Sequence, residues 1–456
     1  MSVENEVRAA LRRAGGWARG PGRGRGVAGA LVGCLVLGGV LMGVEPGGGD
    51  GEGARAARVA GAAGPGARAA MVAGMPVALP EVAAAVREHE ARARARPRDD
   101  ASWAVLGVAY TERARRTGRV ADYPRAERAL RTSLRLRPAG NTAALEGLAA
   151  LANARRDFRA AKRWGEEAVR VAPARWTSYA LLIDAYDGLG RYKAARATLD
   201  RMLAAHSGPA ARARAAQVSW DRGAREDAAV ALSDAAASET TAAGPSAAGA
   251  LWWTRAGELA WERGEAEESL GYCEKARGEP DADACRARAL AALGRTAEGV
   301  RAYRVALARR PSAPVALRLG ELYESMGRTG EAREQYGVVR ALVARSAAAG
   351  VNESLVLGAL EADHGDPGVA VRVLRAEWER QPGLRVADAL GWALHRAGED
   401  EEALGFARRA TDRARGGEVR CALRAYHRGV IERALGLAAP ARRHLEEARR
   451  LNPYVA

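Results

Sequence analysis

The chain has 456 residues, 48% of them hydrophobic but only 5% aromatic, and a formal charge of +16. Its length admits two or three ordinary domains or one extended repeat array. An apolar content made mostly of Ala, Leu and Val, with no sustained period-two alternation, excludes a sheet-based architecture and points to an all-α fold. Only Lys162, Lys193 and Lys275 are lysines, so 71 − 3 = 68 of the basic residues are Arg. They form no run of five or six like charges, which reads as solvated helix faces, and no nucleic-acid partner is expected.

In chain order, residues 1–26 are a basic tail with six Arg against two Glu. Val27 to Val44 then carries no charge over 18 residues, close to the length of a membrane span. Arg8, Arg12, Arg13, Arg19, Arg23 and Arg25 precede it, and the positive-inside rule keeps that end in the cytoplasm. The expectation is a signal-anchor or signal-peptide segment at 27–44. The rest of the chain would then lie outside the cytoplasm, anchored to the cell membrane or secreted after cleavage. Cys34 follows Leu31-Val32-Gly33 as in a lipoprotein box, but the apolar run continues beyond it, against lipidation. Residues 45–78 are rich in Gly, Ala and Pro and read as a linker.

From Pro80 the pattern is helical, and 79–456 reads as one array. Pro80 to Pro97 looks like a single terminal helix, with Pro at its start and just past its end. Trp103, Leu106, Gly107 and Tyr110 then share one helix face, and Ala126, Leu130 and Pro138 lie on a second helix. Comparable pairs recur around a small or apolar anchor in each first helix: Gly107, Ala149, Ile183, Ala216, Gly257, Ala287, Gly320, Gly358, Gly391 and Gly429. The spacing runs from 30 residues (Gly257 to Ala287) to 42 (Gly107 to Ala149). Glycines fall in the turns at Gly190, Gly223, Gly264, Gly294, Gly327, Gly365, Gly398 and Gly436, and Ser238–Ala247 is a polar loop. Val315–Val339 is the best-formed copy, with Ala316, Leu319, Gly320 and Tyr323 on one face and Ala332, Tyr336 and Val339 on the other helix.

These residues resemble the tetratricopeptide repeat (TPR), whose first helix carries an aromatic, Leu-Gly and Tyr, and whose second carries Ala, an aromatic, Ala and Pro. The Arg, Ala and Gly excess resembles the composition of high-GC actinobacterial proteins, here with an N-terminal membrane-targeting segment. The resemblance implies a right-handed α-solenoid of about ten helix-turn-helix repeats acting as a protein-binding scaffold. The fourth and sixth copies are degenerate, with Ser219 and Arg286 where apolar residues belong. No capping helix follows the tenth, so that end is expected to fray or to be covered by a partner.

Chemistry is hard to find. There is no GxSxG, P-loop or HExxH motif. The histidines at His89, His206, His364, His395, His427 and His444 are nowhere at helical metal-site spacing. Glu361-Ala-Asp363-His364-Gly365-Asp366 clusters carboxylates and an imidazole, but on an inter-helix turn where Asp and Gly cap and stop helices. The reading is a non-enzyme without cofactor or metal. Cys273 and Cys285 are equidistant from the Gly278-Glu279-Pro280 turn and could face each other as a disulfide or as two buried thiols.

By the resemblance, first helices line a groove that takes up a peptide or a partner's helix. Residues one and four past each anchor are its candidate lining: Asp184 and Asp187, Gln217 and Trp220, Glu258 and Trp261, Glu321 and Glu324, Trp392 and His395. They suggest an acidic, Trp-bearing groove for basic or aromatic-anchored polypeptides. A carboxylate clamp for chaperone tails is not expected, because Asp184, Gln217 and Glu258 stand where its cations belong. Two functions follow: a membrane-anchored extracytoplasmic scaffold, or a soluble cytoplasmic regulatory or adaptor module.

Overall fold

A computed structural model describes residues 77–242, 244–411 and 420–455. The described residues fall into two units: an N-terminal one reaching Trp253 that also takes in Ala349–Asn352, and a C-terminal one of Thr254–Ala348 and residues from Glu353 onward.

The N-terminal unit contains α1 (Leu79–Ala95), α2 (Asp100–Thr117), α3 (Asp122–Leu136), α4 (Thr142–Ala154), α5 (Phe158–Val171) and α6 (Trp176–Gly188). It continues through α7 (Tyr192–Ala205), α8 (Pro209–Asp221) and α9 (Arg225–Ser238). The polar loop that follows holds a two-stranded ribbon, β1 (Thr240–Thr241) and β2 (Gly244–Pro245), and α10 (Ala247–Glu262) runs on past the division. The C-terminal unit continues with α11 (Ala266–Lys275), α12 (Ala282–Ala292), α13 (Thr296–Arg309), α14 (Ala313–Ser325) and α15 (Thr329–Ala348). Then come α16 (Ser354–His364), α17 (Pro367–Arg380), α18 (Leu384–Arg396), α19 (Asp400–Thr411), α20 (Ala422–Ala434) and α21 (Ala438–Leu451).

Local chemistry sets these boundaries. Asp99, Asn141 and Asp157 accept a backbone N–H of the first turn of α2, α4 and α5, and Asp366 does the same for α17. Each such cap satisfies a donor that the helix leaves unpaired. Most inter-helix turns end on a glycine in the left-handed region, as at Gly327 (φ 73°). Gly365 differs, with φ −146°. A Cβ there would run into the Glu361 carboxylate, which accepts from the Asp366 N–H at 3.2 Å and pairs with Arg340 at 2.7 Å. Glycine is needed at this turn for space, and the acidic cluster is absorbed by a cap and an ion pair.

Consecutive helices pack as antiparallel pairs, α2 with α3 through α8 with α9 in the first unit and α12 with α13 through α20 with α21 in the second. Each anchor residue except Gly257, which lies in α10, falls in the first helix of one of these pairs. The architecture is an all-α solenoid of paired helix-turn-helix repeats. Small anchors let the partner helix approach: a Cβ at Gly320 would lie 2.5 Å from Tyr336 Cε1 of α15. Around that contact Leu319, Tyr323, Ala332 and Val339 form a dry core.

Two expectations are corrected. Among the described residues no helix is long and apolar enough to cross a membrane. The reason lies in their composition: even the 20-residue α15 carries Glu331, Arg333, Glu334, Arg340 and Arg345. The apolar stretch 27–44 lies outside the described residues, as do the tail and most of the linker. No described helix supports the expected membrane-targeting segment, the membrane as a partner through 27–44, or the cell-membrane, extracytoplasmic localisation. The second correction concerns the end of the array. Within the C-terminal unit, Leu451 and Val455 enter a cluster with Trp261, Cys421 and Leu423, Asn452 Nδ2 donates to the Trp261 carbonyl at 2.7 Å, and Pro453 lies against Gly264. The last helix is thus covered by the first helix of its own unit instead of fraying.

Candidate functional site

A simple relation governs the face that the first helices share. The residue one past an anchor meets the residue two before the next anchor. Val108 packs on Gly147, where a Cβ would lie 3.1 Å from Val108 Cγ2. Asp184 of α6 forms a bidentate ion pair with Arg214 of α8, with side-chain exposures of 4% and 3%. Trp392 of α18 stacks on His427 of α20, ring centroids 4.3 Å apart.

This relation decides what the candidate groove residues do. In the N-terminal unit Asp184 is consumed by Arg214 and offers no free charge. Asp187 is half-buried, Gln217 donates to Asp221 at 3.3 Å, and half-buried Trp220 lies under the Arg225 guanidinium at 5.2 Å. In the C-terminal unit Trp261 is 1% exposed, a core residue with the Arg288 guanidinium 4.1 Å above its ring. His395 is held by Asp400 at the start of the next helix, and Trp392 also donates to Asp363 at 3.0 Å. Exposed Glu324 accepts from the Tyr336 hydroxyl at 2.6 Å and lies 3.0 Å from His364 Nδ1. His364 stacks on Tyr336 and is 3.9 Å from Glu321. Burial alone would lower the His364 pKa, but the nearby carboxylate of Glu321 and the charges of Glu324 and Asp363 hold it above the ordinary value.

What remains open is a set of charged groups on three consecutive first helices: Glu258 of α10, Arg288 of α12, and Arg318 and Glu321 of α14. Burial pushes the Glu258 and Glu321 carboxyls above the usual range, against the opposing pull of Arg255 and Arg288 on the first and of His364 and Arg318 on the second. Arg288 and Arg318 are 5% and 7% exposed. Burial, and then the like charge of Arg318, lower the Arg288 pKa. Arg288 reaches a carboxylate only at 3.8 Å, in Glu262. Arg318 forms no contact-distance ion pair or hydrogen bond among the described residues, and its Nη2 is buried without a partner. Arg318 stands two residues before its anchor, Gly320, outside the positions that define the expected groove.

The remaining polar chemistry is structural. Cys273 and Cys285 are joined in a disulfide, Cα atoms 5.8 Å apart, beneath Gly257. Among the described residues no group of three or more His, Cys, Asp or Glu is placed to hold a metal ion. The described residues form an all-α array of paired helices.

No protein-family model and no curated protein matches the chain. Among solved structures it is similar to a human IFIT1 dimer with PPP-AAAA, at 16% identity and a TM-score of 0.47, covering 69% of this chain and 73% of that one. It is also similar to the APC/C hetero-tetramer Cut9-Hcn1, at 12% identity and a TM-score of 0.38, covering 82% and 80%. At these values neither says what this chain binds.

Proposed function

We propose that the chain is a helical-repeat scaffold that binds a polypeptide partner along the first helices of its C-terminal unit. One observation carries this reading. Glu258, Arg288 and Glu321, each one past an anchor on successive first helices, alternate in sign, and Trp392 occupies the same position further along. An interface of this kind, with charges of both signs and an aromatic, suits an extended segment of mixed charge better than a purely basic one. Asp184 no longer counts toward an acidic groove, because Arg214 neutralises it.

Photocrosslinking tests the assignment. Ala359 sits one past its anchor on α16, and Arg372 is exposed on α17. With benzoylphenylalanine at each position of the full chain in turn, polypeptide adducts are expected from 359 and not from 372. Equal adducts from both positions, or adducts to nucleic acid alone, would refute the reading.

A further inference from the structure

The relation between anchors exposes an imbalance. In the N-terminal unit, one past Ile183 stands Asp184 and two before Ala216 stands Arg214, and the two neutralise each other. In the C-terminal unit the same two places, one past Ala287 and two before Gly320, hold Arg288 and Arg318. Two guanidiniums occupy a relation that elsewhere in the chain joins a carboxylate to a guanidinium. Both are more than nine-tenths buried, and Arg318 Nη2 has no partner. Glu262 meets Arg288 only at 3.8 Å, while Arg318 has no contact-distance counter-ion among the described residues. A buried cation held this way is unfavourable, and the arrangement persists at lower cost if an anion enters from outside.

We propose that Arg288 and Arg318 bind the side-chain carboxylate of an Asp or Glu in the partner polypeptide, which does from outside what Asp184 does for Arg214 from within. This rests on the reading that the first-helix face binds polypeptide. The surroundings select a carboxylate over a phosphoryl group. Glu258 and Glu262 approach the pair from α10 and Glu321 from α14, so a dianion would meet more repulsion than a single negative charge. A planar carboxylate also matches the forked donors of arginine. Tyr303, 2% exposed, lies close enough to feel both arginines and Glu321.

The experiment uses immobilised full-length protein and pools of N-acetylated, C-amidated decapeptides. A central residue is fixed as Glu, Gln or phosphoserine, and the other positions are randomised among uncharged residues. A fourth pool has no acidic side chain but a free C-terminal carboxylate. The wild type is expected to retain the Glu pool at least roughly tenfold over the Gln pool. Arg318→Met and Arg288→Met should bring retention of the Glu pool down to the Gln level, and Arg318→Lys should keep part of it. A melting midpoint of Arg318→Met at or above the wild type shows that its loss of binding is not a loss of fold. Equal retention of the Glu and Gln pools, both above background, overturns the carboxylate site and leaves the peptide-binding reading standing. Preference for the phosphoserine pool or the free C-terminal pool also overturns it, by assigning a different anion. No retention of any pool removes both readings together.

Discussion

Arg214 and Arg318 are both buried arginines, each two residues before its anchor, yet replacing them should move stability in opposite directions. Arg318 is 7% exposed, lacks a contact-distance carboxylate among the described residues, and feels the like charge of Arg288. Arg318→Met keeps most of the buried aliphatic stem while removing an uncompensated charge. The nearby Glu258 and Glu321 offset part of the penalty, which leaves a net gain on the order of 2 kcal/mol. At about 2–4 °C per kcal/mol for a unit of this size, the midpoint should rise by roughly 4–8 °C. Arg214 is 2% exposed and bound to Asp184. Arg214→Met strands a buried carboxylate and should cost about 3–5 kcal/mol. Differential scanning calorimetry of both variants at neutral pH and moderate salt gives the comparison. If Arg318→Met melts lower than wild type, its guanidinium holds the fold together and the argument from an unmet charge fails.

Gly320→Ala would drive a methyl to 2.5 Å from Tyr336 Cε1, and that ring is pinned by Glu324 and by stacking on His364. Overpacking should cost about 1–3 kcal/mol, and an unchanged urea midpoint would contradict the tight crossing. Alkylation of denatured protein purified without reductant should label two of the four cysteines, Cys34 and Cys421, and all four after reduction. Four labels without reduction would rule out the Cys273–Cys285 bond. His364 faces Glu321 and Glu324 from α14, Tyr336 from α15 and Asp363 from its own helix. Its pKa is raised on folding, so the stability it confers is complete below the unfolded value of about 6.5 and disappears as pH rises through the higher folded value. His364→Gln should flatten that part of the stability–pH curve, and an unaltered slope above pH 6.5 would exclude His364 as its source.

Much of the scaffold is legible because helix pairing leaves a local signature. The Leu319-Gly320 crossing, the left-handed glycine at Gly327 and the Asp366 cap depend on residues a few positions apart, and a linear sequence displays those relations directly. Gly365 marks a limit. Its place in a turn suggests one more left-handed, helix-stopping glycine, but its φ is −146° and the demand comes from Glu361 leaning over it. The closure of α21 on Trp261 was not legible either. Asn452 and Trp261 are 191 residues apart, and no periodicity encodes where a curling array meets itself.

The charged face falls between these cases, and the reason is instructive. Asp184, Glu258, Arg288 and Glu321 each stand one past an anchor, but such charges have no meaning until each partner is known. Partners come from two residues before the next anchor, 30 positions on for both Asp184–Arg214 and Arg288–Arg318. Once that offset is known, the sequence itself distinguishes a satisfied place from an unsatisfied one. Counting only the positions past the anchors made the groove look acidic. Including the positions before them pairs Asp184 with Arg214 and leaves Arg288 and Arg318 as two buried guanidiniums, of which Arg318 has no contact-distance carboxylate among the described residues. The same face therefore selects for an acidic side chain at that one point, while Glu258 and Glu321 on either side disfavour a partner with a continuous run of acid.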